Sequence, residues 1–146
     1  MDIKKQFSLY NISLQESVVI GSGILQVVGL RQARDFELIV TQQCYQKLLA
    51  SGLFEQKKRH TTVWLEKDAI SVATQWTIVD EVWTFERLLD HSEIIHGVRY
   101  ITVEFLFHAK SQWLLNGEFR QKDKDDIVLM DAYLAQKEAL SGCKCC

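Results

Sequence analysis

Proline is absent from this chain, and no low-complexity stretch or internal repeat interrupts it. There is thus no obvious linker and no point at which to divide 146 residues, a length that suits one domain. Long apolar runs are missing as well. Stretches such as Val18–Ile20 and Phe105–Phe107 fall far short of the roughly 20 residues that span a bilayer. The segment from Met1 to Asn11 carries charge but no apolar signal-peptide core, so the cytoplasm is the expected compartment. Excess charge of one sign is also lacking. Lys and Arg number 17 against 19 Asp and Glu, a net charge of −2, which argues against extended nucleic acid or a membrane as partner. A single nucleotide carried in with magnesium stays compatible, because the metal changes the local charge. Cysteine is scarce where a disulfide framework would need it: Cys44 stands alone, and Cys143, Cys145 and Cys146 crowd the end.

What is present is globular. Hydrophobic residues make up 47% and charged residues 25%, enough apolar material to build a core. Glycines punctuate the chain. Val18-Val19-Ile20 reads as a buried strand that breaks at Gly21-Ser22-Gly23, after which Ile24 to Val28 reads as a helix capped by Gly29. A loop over Leu30–Arg34 leads to a strand over Asp35–Val40. Thr41 caps a helix over Gln42–Ser51 that Gly52 ends. Gln56–His60 reads as a basic connection, with the run from Lys57 to His60 solvated. Thr62–Glu66 and Ile70–Trp76 form an expected hairpin about Lys67-Asp68-Ala69, and Thr84 caps a short helix over Phe85–Leu89. Glu93–Ile95 and Val98–Ile101 form a second hairpin about His96-Gly97. Then come a long apolar helix over Val103–Leu115, closed by Asn116-Gly117, a polar loop over Glu118–Asp123, and a last helix over about Asp125–Leu140. The pattern predicts an α/β (α+β) domain over residues 1–140, a small mixed sheet flanked by helices with two closing C-terminal helices, and a flexible Cys-rich tail over 141–146.

Two features carry chemistry. A strand that enters a glycine turn and then a helix exposes backbone N–H groups that suit phosphate, although tight turns of the same composition are common. Asp35 and Glu37, two apart on the expected strand, point to one face. Paired carboxylates repel unless a cation lies between them, and magnesium carrying a triphosphate is one such cation. A solvated sheet face with Arg31 or Arg34 as ion-pair partner fits the same spacing.

Gly21-Ser22-Gly23, the following helix to Gly29, and then Leu30-Arg31-x-Ala33-Arg34-Asp35-Phe36-Glu37-Leu38-Ile39-Val40 resemble the signature of the nucleotidyltransferase superfamily that includes DNA polymerase beta. The closer likeness is to small bacterial stand-alone nucleotidyltransferase-like domains, which also carry a late Lys-Asp-x-x-Asp-Ile, compared here with Lys122-Asp123-Lys124-Asp125-Asp126-Ile127. The resemblance spans about Val18 to Leu134. It implies that Gly21, Ser22 and Gly23 contact the triphosphate of a nucleoside triphosphate, joined by Arg31 and Lys122, while Asp35 and Glu37 bind magnesium and carry catalysis. Active relatives place a third carboxylate on a neighbouring strand. The matching strand here is Ile70–Trp76, whose inward candidates are Ser71, Ala73 and Gln75, or Val72, Thr74 and Trp76; none is acidic. Glu66, Asp68 and Asp80 lie near it in sequence.

The function implied is transfer of a nucleoside monophosphate from magnesium–nucleoside triphosphate to a hydroxyl of a small molecule or protein. The alternative is a catalytically degenerate nucleotide-sensing or protein-interaction module, working with a protein partner or as a homodimer. Carboxylates in the first turn of the last helix are also what the helix dipole favours. The histidines, His60, His91, His96 and His108, show no metal-ligand spacing, and Trp64, Trp76, Trp83 and Trp113 read as core. Cys44 reads as a buried small hydrophobe. The terminal cysteines read as an oxidation-prone end, against the alternatives of a broken prenylation box or a soft-metal trap.

Overall fold

Short β-branched runs in the first two-thirds of the chain become strands, and the two longest helical patterns become helices. The computed structural model describes residues 2–142 and is mixed α+β. The chain divides into two compact units at the Thr102–Val103 junction.

The first unit is built on a seven-stranded mixed sheet. Its strands are β1 (Ser17–Ile20), β2 (Phe36–Val40), β3 (Glu55–Arg59), β4 (Thr62–Lys67), β5 (Ile70–Ala73), β8 (Ser92–Ile95) and β9 (Val98–Ile101). They lie in the order β3-β4-β5-β2-β1-β9-β8. β1 runs antiparallel to β2 and parallel to β9, and β2 runs parallel to β5. Burial follows position in the sheet. Val18, Val19, Leu38, Ile39, Val72 and Ala73 on the central strands are inaccessible to solvent, which is why these strands read as unbroken apolar runs. β3, with the sequence Glu-Gln-Lys-Lys-Arg, lies at an open edge, where lysines discourage pairing with another chain. A separate two-stranded ribbon joins β6 (Gln75–Ile78) to β7 (Glu81–Thr84).

Helices flank this sheet. In α1 (Ile3–Leu9) the Asp2 side chain accepts from the amides of Lys4 and Lys5. Just beyond α1, the Tyr10 hydroxyl donates to Asp68 Oδ2 at 2.5 Å, tying this end of the chain to the β4–β5 turn. α2 (Gly23–Val27) follows the glycine turn. α3 (Gln42–Ser51) starts where the Thr41 hydroxyl accepts from the Cys44 amide at 3.2 Å, and it ends at Gly52 in the left-handed region. Cys44 is buried on it, as expected. Thr84 caps α4 (Phe85–Leu88) through the Arg87 amide.

The second unit consists of α5 (Val103–Leu115) and α6 (Gln121–Gly142), which pack on each other. Lys110 is buried on α5. Its ammonium contacts Asp123 Oδ1 at 2.6 Å and Asp126 Oδ2 at 3.1 Å, and both carboxylates are also buried. Asp123 Oδ2 accepts from the Arg120 amide at 2.9 Å, so the same carboxylate also satisfies an open donor at the start of α6. Among the described residues no helix is long and apolar enough to cross a membrane.

Several element boundaries differ from expectation. The basic stretch read as a connection is strand β3, because the open sheet edge accepts charged side chains on both faces. The expected strand Ile70–Trp76 is two strands: β5 stops at Ala73, and Gln75 begins the ribbon. The last helix begins at Gln121 rather than Asp125, since Asp123 caps it through Arg120. It also takes in Ser141 and Gly142 from the segment read as a tail, while Cys143, Cys145 and Cys146 lie outside the described residues. Trp64 and Trp76 are buried, whereas Trp83 and Trp113 are only half-buried.

Candidate functional site

Register decides which side chains meet. On adjacent strands, Glu37 of β2 lies opposite Ser71 of β5, and Ser71 lies opposite Glu66 of β4. Cross-strand partners share a face, so a carboxylate, a hydroxyl and a second carboxylate stand in a row. β3 adds cations to that face, since alternation puts Lys57 and Arg59 on the same side as Glu55, the register partner of Glu66.

The Arg59 guanidinium lies across the row. Its Nη1 donates to Glu37 Oε2 at 3.2 Å, and its Nη2 donates to Glu66 Oε1 and to Ser71 Oγ, the latter at 3.2 Å. Ser71 Oγ in turn donates to Glu66 Oε1 at 3.3 Å, and Lys57 Nζ holds Glu66 Oε2 at 3.1 Å. The guanidinium carbon sits 4.8 Å from the centre of the buried Trp64 ring, a cation–π contact that orients the fork. Arg59 and Glu37 are about one-third open to water, with side-chain exposures of 40% and 36%, whereas Glu66 is at 19%. Partial burial pushes the Glu66 carboxyl up, but Arg59 and Lys57 outweigh it and hold the group below its ordinary range.

The glycine turn borders this row. Ile20, the last residue of β1, pairs with Glu37, and Gly21 follows at φ +63°, a conformation costly for other residues. A Cβ on Gly21 would lie 3.2 Å from Glu37 Oε1, so the turn backbone rests against the carboxylate. Gly23 answers a different demand. A Cβ there would come within 2.5 Å of Val19 Cγ1 and 3.1 Å of the Phe36 ring, so α2 sits on the sheet only because this residue has no side chain. Ser22 stands between them, half-buried, and makes no side-chain capping bond.

The other expected site residues are placed as follows. Asp35 is exposed at a bend before β2, which starts at Phe36 rather than at Asp35. Arg31 Nη1 donates to the Gln32 carbonyl at 2.8 Å, and Gln26 Oε1 accepts from the Ala33 amide at 2.9 Å, pinning the loop between α2 and β2. Arg34 is exposed. Lys122 is exposed on α6, in the second unit. Lys124 of the same turn lies 4.5 Å from the Phe119 ring centre.

Sequence reasoning missed Lys57, Arg59 and Lys110. For the first two a signal was present, since Glu55, Lys57 and Arg59 alternate with the period of a strand. For Lys110, a lysine inside an apolar helix pattern was the available sign. Magnesium suits two or more carboxylate oxygens left free to face it, and a guanidinium bound to the same oxygens repels it. Glu37 and Glu66 do not offer that set here, because Arg59 engages Glu37 Oε2 and Glu66 Oε1 and Lys57 holds Glu66 Oε2. Among the described residues no group of three His, Cys, Asp or Glu side chains converges as a metal site. No family model matches the chain, and no curated protein or solved structure matches it.

Proposed function

We propose that this chain is a nucleotidyltransferase-like module that holds the phosphates of a nucleotide and does not transfer its monophosphate. The observation that carries the reading is Arg59 joined to both Glu37 and Glu66, with the hydroxyl of Ser71 at the strand position facing Glu37. Transfer of a nucleoside monophosphate needs a base or metal to activate the acceptor hydroxyl and positive charge on the transferring phosphorus. Ser71 supplies no base. Glu66, the carboxylate nearest to that role, is held ionised by two cations and is a weak proton acceptor.

Phosphate holding keeps its support. Gly21 and Gly23 leave their backbone bare on either side of Ser22, and Arg31 leads the loop behind the turn. In this reading magnesium enters only as the ion that the triphosphate carries, met by the exposed Asp35. The module works in the cytoplasm, and its output is a nucleotide-dependent contact with a protein partner or a second copy. Transfer to a hydroxyl of a small molecule or protein is the competing reading, favoured by Glu66 standing in line with Glu37 and by the partial exposure of Arg59.

Calorimetry with the four nucleoside triphosphates, on wild type and on the Gly21→Val variant, tests binding. A pyrophosphate-release assay over candidate hydroxyl acceptors tests transfer. The expected result is binding that Gly21→Val abolishes, with no pyrophosphate released. Turnover would overturn the reading in favour of the transferase, and absence of binding by folded wild type would overturn nucleotide holding.

A further inference from the structure

Four charged groups joined by direct contacts on this face balance one another. Glu37 and Glu66 contribute two negative charges, Lys57 and Arg59 two positive ones, and every one of them contacts an opposite partner within the set. Such a set offers little attraction to a further cation, because a divalent ion would have to displace a guanidinium that is tethered, forked and backed by an indole ring.

We propose that Arg59, assisted by Lys57, is a built-in counter-ion that replaces a divalent metal between Glu37 and Glu66. The inference deepens the reading above and rests on it only for the nucleotide's presence; the cation behaviour follows from the side chains alone. Arg59 does geometrically what a bridging metal would do: it joins two carboxylates on the strands that flank β5 and offsets their repulsion. It differs in that a guanidinium presents no open coordination position, so it cannot polarise a substrate oxygen or lower the pKa of a bound water. The strand position between the carboxylates fits the same logic. Ser71 accepts from Arg59 and donates to Glu66, a role that a third carboxylate could not fill without adding a charge that no cation here balances.

The test uses Mn2+ alone, with no nucleotide, so it reads the same whether or not the protein binds one. Saturable Mn2+ binding is measured by electron paramagnetic resonance on wild type, Glu37→Gln, Arg59→Gln, Arg59→Lys, the Lys57→Gln/Arg59→Gln double variant and the double variant with Glu37→Gln added. Wild type and Arg59→Lys are expected to leave Mn2+ free. The double variant is expected to bind at least about tenfold more tightly than wild type, with the single variant between them and the gain lost when Glu37→Gln is added. Saturable binding by wild type that Glu37→Gln removes would overturn the proposal, as would folded charge-removal variants that gain nothing. Folding is checked by circular dichroism. Should the variants not fold, Mn2+ line broadening at the Gly21 and Ser71 amides of wild type decides: none is expected, and broadening there overturns it.

Discussion

Among the described residues two clusters join cations to paired carboxylates, and they differ in how far water reaches them. In the second unit, Lys110 serves Asp123 and Asp126, all three buried, and the exposed Arg120 Nε adds a contact to Asp123 at 3.6 Å. In the first unit, two cations serve two glutamates on a sheet face that water partly reaches. A buried cluster gains strong attraction at the cost of desolvating each ion, so it is intolerant of losing any member. A half-exposed cluster is screened, its pairs are individually weak, and its members can be exchanged. The first kind holds helices together; the second leaves a charged sheet face whose balance one substitution alters.

The largest effect expected from breaking this contrast is at Lys110. Lys110→Met removes the ammonium shared by two buried carboxylates and should cost about 3–5 kcal/mol, read by urea denaturation. Replacing all three members with apolar residues of similar volume should recover most of that loss; failure to recover would show that the cluster does more than compensate its own burial. Next in size is Gly23→Ala, whose Cβ overlaps Val19 and should cost about 1–3 kcal/mol by the same measurement.

A pH series separates the clusters further. Burial pushes the Asp123 carboxyl up, but the Lys110 ammonium and the Arg120 amide outweigh it and hold the group below its ordinary value. A carboxylate with a depressed folded-state value stabilises above its unfolded value of about 3.9 and loses that contribution as pH falls through the folded one. Stability should therefore fall progressively below about pH 4, and Asp123→Asn should flatten that acid limb. Glu66 has the same sign, so Glu66→Gln should also flatten the limb, by less, because the group is nearer water. The smallest effect is expected for Arg59→Gln on stability: no more than about 1 kcal/mol, and less at high salt. A larger loss would mean that the sheet face depends on Arg59 as the helix pair depends on Lys110.

Much of the fold was legible because it is locally encoded. Thr41 and Gly52 bracket α3, Asn116 and Gly117 close α5, and His96-Gly97 turns β8 into β9, each by turn or cap chemistry within a few residues. The central strands were legible because burial on both faces writes itself as an apolar run. β3 was not, since an edge strand needs no apolar residue and its charged sequence looks like a loop. The start of α6 was missed for a related reason: its first turn is anchored by Asp123 to Arg120 and Lys110, and the lysine lies 13 residues away.

The candidate site divides in the same way. By itself the sequence determined the glycine turn, the carboxylate at Glu37 and the absence of an acidic residue on β5, since each depends on neighbours along the chain. Only the tertiary structure decided that Ser71 faces Glu37, that Glu66 stands beyond it, and that Arg59 closes the row. Those relations are set by register across four strands, and a shift of one residue in any pairing would turn its side chains to the opposite face.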